Sequence, residues 1–96
     1  MVERIMLFKL NDPSTRHEVA RLAQAALADV PGVDSLSVGV PADASSERSW
    51  DMSIVLGVAN VALLGSVLES ESFKRWLDGT LQPLCAVIKA WSFERL

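Results

Sequence analysis

The N-terminal stretch MVERIMLFKLND, residues 1–12, carries apolar side chains on both sides of a predicted strand. Alternate positions of a strand share a side, which groups Arg4 with Met6 and Phe8, and Ile5 with Leu7 and Lys9. A strand that has one face in water alternates apolar and polar residues instead. We therefore expect the sheet that contains this strand to be covered on both faces.

The apolar periodicity and the turn residues between the patterns predict four strands and three helical segments. The strands are expected at residues 2–10, 33–40, 50–58 and 86–96, and the helical segments at residues 12–32, 60–69 and 70–84. Thr15 and Glu18 have the spacing of a capping box, which predicts that Thr15 caps the first helix. Asn60 is the expected cap of the next helical segment, and residues 41–49 are expected to form a polar loop.

With the last two helical segments counted as one region, the order is β-α-β-β-α-β over a single domain, residues 1–96. This order predicts an α+β, ferredoxin-like fold, in which two helical layers cover one face of a four-stranded antiparallel sheet.

The second face of this sheet is expected to be apolar and to lack a cover of its own. Its predicted apolar members are Ile5, Leu7, Val55, Val87, Trp91 and Phe93, accompanied by small residues such as Ser53 and Gly57. An apolar sheet face of this size indicates an interface. We therefore predict a homodimer that packs sheet to sheet, against the alternative of a solvated face with scattered apolar residues.

Composition excludes several classes of function. The formal net charge is −3 and the chain has no basic run, which argues against a nucleic-acid partner. No apolar run is long enough to span a membrane, and the first residues do not resemble a signal peptide. The single cysteine, Cys85, cannot form an internal disulfide, so we expect a cytoplasmic protein.

The residues also carry a family resemblance. The segments RIMLFKLND, VPGVDSLSVG, WDMSIVLGV and KAWSFE, in this order along the chain, resemble the stress-responsive dimeric α/β-barrel family, called Dabb. The resemblance implies a ferredoxin-like protomer, a dimeric barrel with the sheets pressed together, and a stress-response-type role. In catalytic relatives it implies a cleft between the sheet and the helices.

The sequence departs from the family at both positions where relatives with a polar cleft carry histidine. Arg4 stands at the first-strand position, and Ser70 and Phe73 stand where an H-P-x-H segment would place its histidines. Arg4 is expected either to hold a carboxylate or phosphate of a ligand, or to reach solvent or pair with Asp51 or Glu94.

The predicted function is therefore a small homodimeric protein without catalytic residues that binds a small apolar molecule between sheet and helices. The candidates for that cleft are Arg4, Met6, Phe8, Trp50, Met52, Ile54 and Phe73, although Trp50 and Phe73 equally suit a plain core. The alternative is a polyketide-cyclase-like or cofactor-free monooxygenase-like enzyme that works without the usual histidines. A cleft filled by Phe73, Trp76 and Leu77 would count against the enzyme.

No metal or other cofactor is predicted. One histidine and one cysteine cannot build a structural zinc site. His17 is expected on the polar side of the first helix, and Cys85 in or near the core.

Overall fold

The computed structural model describes all 96 residues as a four-stranded antiparallel sheet with helices on one face. The elements are β1 (Val2–Leu10), α1 (Arg16–Leu27), β2 (Ser35–Gly39), α2 (Ala44–Ser49), β3 (Met52–Val58), α3 (Val61–Glu69), α4 (Glu71–Lys74) and β4 (Cys85–Glu94). A 3₁₀ turn, Pro13–Thr15, precedes α1, and a π-helical turn (Arg75–Leu81) and a second 3₁₀ turn (Gln82–Leu84) link α4 to β4.

The strands lie in the order β2-β3-β1-β4, as the predicted ferredoxin-like fold requires. Ile5 pairs with Val55 on one side and with Trp91 on the other, so these three side chains share a face of the sheet. The neighbouring row joins Leu7 to Ser53 and Lys89. The predicted division of β1 into two faces is confirmed.

The helix-facing side of the sheet forms the core. Phe8, Ile54, Leu56 and Val58 have no exposed surface, and Leu27 of α1 is equally buried against them. Altogether 17 apolar residues make one contiguous buried cluster. Burial of this apolar surface is the main favourable contribution to folding.

The start of α1 differs from the prediction. The Thr15 side chain makes no capping bond, and its hydroxyl donates to the carbonyl of Asp12 at 2.8 Å. Asp12 instead caps the 3₁₀ turn that precedes α1: its carboxylate accepts from the Ser14 hydroxyl at 2.7 Å and from the Ser14 N–H at 3.1 Å, which lowers the pKa of Asp12. The capping-box prediction is wrong because Pro13 starts a 3₁₀ turn before the helix.

The expected polar loop contains a helix. Asp43 caps α2 by accepting the Ser46 N–H at 2.8 Å, and residues 44–49 follow in helical conformation. The prediction at Asn60 agrees with the structure, since its side-chain oxygen accepts the Leu63 N–H at 2.9 Å at the start of α3.

Candidate functional site

Arg4 lies on the helix-facing side of β1, at the edge of the core. Its Nη1 donates to the hydroxyl of Ser92, its partner across β1 and β4, at 3.0 Å. Its Nε is buried and makes no hydrogen bond. The expected partners Asp51 and Glu94 form no ion pair with it, because Asp51 is bound to Arg16 and Ser92 takes the guanidinium.

The space between sheet and helices is closed. Met6, Phe8, Met52, Ile54 and Phe73 are each at most 2% exposed. Phe73 and Trp76 stack at a tilt inside this space, with ring centroids 6.1 Å apart, and Leu81 packs in the same cluster. None of the three cavities of the chain is lined by Arg4, Met6, Phe8, Ile54 or Phe73. The expected pocket is therefore absent at this position, because aromatic side chains from the segment 70–84 fill it.

The opposite side of the sheet, which we call the outer face, has no covering layer, and only α2 stands against one end of it. It comprises the predicted interface residues Ile5, Leu7, Val55, Val87, Trp91 and Phe93. Trp91 and Phe93 are 48% and 56% exposed, and both lie on the edge strand β4. The side chains become small toward β2, where Ser37 and Gly39 stand next to Val55 and Ser53.

A cavity of about 460 Å³, which we call the outer cavity, lies at one end of the outer face. Leu7, Gly39 and Ser53 of the sheet line it on one side, and Ser45, Ser49 and Trp50 line it on the other. Trp50, which was expected in the sheet–helix cleft, thus lines a cavity on the other side of the sheet. Met52 borders the same cavity, but it is 1% exposed and belongs to the buried core, as expected. This cavity was not predicted from the sequence because it depends on α2, for which the cap Asp43 was the available signal.

A buried ion pair holds the start of β3 against α1. Asp51 is 3% exposed, and its Oδ2 accepts the Leu10 N–H at 2.9 Å while its Oδ1 accepts from Arg16 Nη2 at 2.8 Å. Arg16 also contacts Glu47 at 3.1 Å. The Arg16 guanidinium compensates the charge of the buried Asp51 carboxylate, and the second carboxylate, Glu47, is largely exposed, so the cluster has the character of a structural clamp.

The remaining titratable candidates lie apart from both sites. Burial, with a smaller contribution from Asp51, raises the pKa of the Cys85 thiol, so it is a weak nucleophile at neutral pH. His17 is exposed on α1. No group of three or more His, Cys, Asp or Glu side chains is placed to hold a metal ion, and no helix is long and apolar enough to cross a membrane.

No protein-family model and no curated protein matches the sequence. Solved structures do match the fold over nearly the whole chain. A Dabb family protein with a ferredoxin-like fold from Mesorhizobium loti superposes with a TM-score of 0.83, at 11% identity, over 99% of this chain and 96% of that one.

A dimeric ferredoxin-like protein of unknown function from Thermobifida fusca has a TM-score of 0.80, at 18% identity, over 98% of this chain and 90% of its own. An antibiotic biosynthesis monooxygenase has a TM-score of 0.73, at 14% identity, over 100% of this chain and 99% of its own. The chain therefore has the ferredoxin-like fold found in a Dabb family protein, as the sequence predicted.

Proposed function

We propose that the chain acts as a homodimeric α/β-barrel protein of the Dabb type, in which two copies pack outer face to outer face. One observation carries the proposal: the outer face presents Ile5, Leu7, Val55, Trp91 and Phe93 without a covering layer. A contiguous apolar patch of this kind marks an interaction surface. The dimeric description of the Thermobifida fusca protein supports a second copy as the partner.

Within this proposal the protein binds a small molecule and does not transform it. The only histidine is remote and exposed, and the thiol of Cys85 is held in its protonated form. The stress-response-type role implied by the Dabb resemblance belongs to the same proposal. A binding role of this kind requires no acid–base group beside the ligand.

A catalytic cleft beside Arg4, as a monooxygenase-like or cyclase-like enzyme would need, has no support, since no cavity is lined by Arg4 and both Phe73 and Trp76 are buried in the core. We therefore propose no second function.

The dimer is tested with two matched substitutions. Trp91 on the outer face and Leu22 on α1 are almost equally exposed, at 48% and 50%. In a monomer, aspartate at either position would have a similar small effect on folding. In the proposed dimer, Trp91→Asp would bury an unpaired charge in the interface, so only this variant should dissociate.

Sedimentation or light scattering at micromolar concentration gives the readout. We expect a dimer for the wild type and for Leu22→Asp, and a folded monomer for Trp91→Asp. A monomeric wild type would refute the proposal. If the Trp91→Asp variant remains dimeric, the interface does not lie on the outer face.

A further inference from the structure

We propose that the outer cavity is a binding site for a neutral, ring-containing molecule that carries a hydrogen-bond acceptor, and that the second copy of the chain completes it. This inference rests on the proposed dimer. It names a site on the opposite side of the sheet from the closed sheet–helix space.

The position of the outer cavity places it at the dimer interface. Leu7, Ser53 and Gly39 lie in one row across β1, β3 and β2, on the outer face. The connection between β2 and β3 forms the other wall, where α2 contributes Ser45 and Ser49 and is followed by Trp50. The cavity is therefore open toward the side from which a second sheet would approach.

The second sheet would not fill this space by ordinary sheet packing. Contact between two sheets is set by their large side chains, which here are Ile5, Trp91 and Phe93. Toward the outer cavity the row ends in Ser53 and Gly39, which project little or no side chain. A Cβ built on Gly39 would lie 3.0 Å from the Ser53 hydroxyl, so a side chain at position 39 would crowd Ser53.

The lining defines the class of ligand. None of the 11 lining residues carries a charge, and the hydrophobic ones include Leu7, Val40 and Trp50. Burying a charged ligand there would leave its charge unpaired, which is costly. Trp50 offers an aromatic surface for a ring, and the serine hydroxyls can donate to a carbonyl or hydroxyl oxygen. The volume of about 460 Å³ lies within the range of small-molecule sites.

Prodan, a neutral naphthalene ketone whose fluorescence reports its surroundings, is a suitable probe. Ser53→Leu should fill the outer cavity, whereas Ser66→Leu adds the same side chain at an exposed position of α3, away from the outer face and the cavity. We expect saturable binding of one prodan per protomer by the wild-type dimer. Ser53→Leu should weaken binding at least about tenfold, and Ser66→Leu less than about twofold.

Two further variants keep the test decisive. Trp50→Ala removes the aromatic wall and should also weaken binding at least about tenfold, which covers the case that Ser53→Leu fails to fold. The monomeric Trp91→Asp should bind at least about tenfold more weakly than the wild type, because the partner closes the site.

Three results would overturn the inference: no saturable binding by a dimeric wild type, binding by Ser53→Leu and Trp50→Ala that is as tight as binding by the wild type, or binding only by monomeric Trp91→Asp. The last result would mean that the partner's own side chains occupy the cavity. Sedimentation of the same samples separates the two proposals. A monomeric wild type refutes the dimer, whereas a dimer that does not bind prodan refutes only the site.

Discussion

Asp51 shows how one side chain can connect elements that are distant in the sequence. Its carboxylate joins the end of β1, through the Leu10 N–H, to Arg16 at the start of α1. The sequence offered Asp51 as one of two carboxylates, with Glu94, that could pair with Arg4. The structure pairs Asp51 with Arg16 because antiparallel pairing of β1 and β3 brings the start of β3 to the end of β1.

Asp51→Asn tests this clamp. The substitution keeps the size of the side chain but leaves Arg16, which is 15% exposed in its side chain, without its buried counter-charge. Breaking buried ion pairs typically costs about 3–5 kcal/mol, and residual solvent and Glu47 beside Arg16 reduce our expectation to about 2 kcal/mol. Urea denaturation monitored by circular dichroism measures the change in the free energy of unfolding.

Glu69→Gln is the matched control for Asp51→Asn. Glu69 contacts Lys74 at 2.7 Å, a similar distance, but both side chains are exposed. Exposed pairs contribute little, so the expected change is below about 0.5 kcal/mol. If the free energy of unfolding falls equally in the two variants, burial of the Asp51 ion pair does not increase its contribution to stability.

At the level of elements, helix caps explain why the start of α3 was predicted correctly and why the start of α1 and the existence of α2 were not. Asn60 is followed directly by an apolar helix, and its side chain caps α3 as expected. Asp43 provides an equally local signal for α2, but the polar composition of residues 41–49 suggested a loop. At α1 the 3₁₀ turn started by Pro13 and capped by Asp12 precedes the helix, and Thr15 makes no capping bond.

Replacing Asn60 tests the cap of α3. Asn60→Ala removes the acceptor of the Leu63 N–H, and loss of such a cap costs about 1 kcal/mol. Asn60→Ser retains a capping oxygen and should recover most of this loss. Thermal or urea unfolding of the two variants provides the comparison. A Ser variant as unstable as the Ala variant would contradict the assignment of the cap.

For the whole molecule, stability and assembly should be linked. The outer face exposes large apolar side chains in the single chain, and a dimer would remove them from water. A partner that binds only the folded state stabilises it by mass action. Assembly would therefore contribute to the stability of this 96-residue chain.

The midpoint of unfolding should consequently depend on protein concentration. We expect the wild-type midpoint in heat or urea to rise when the concentration is raised about tenfold. The midpoint of monomeric Trp91→Asp should stay constant over the same range. A wild-type midpoint that does not change with concentration would show that folding and association are not coupled.

Local patterns sufficed for the β-α-β-β-α-β order of elements along the chain and for the two faces of β1. The period of two in RIMLFK assigns Met6 and Phe8 to one side and Ile5 and Leu7 to the other. Closure of the sheet–helix space, the pairing of Asp51 with Arg16, and the outer cavity could not be predicted in this way. Each of them depends on side chains that are far apart in the chain and meet only after folding. The volume of a cavity and the distance between two side chains are set by the packed molecule, whereas periodicity is a property of the sequence.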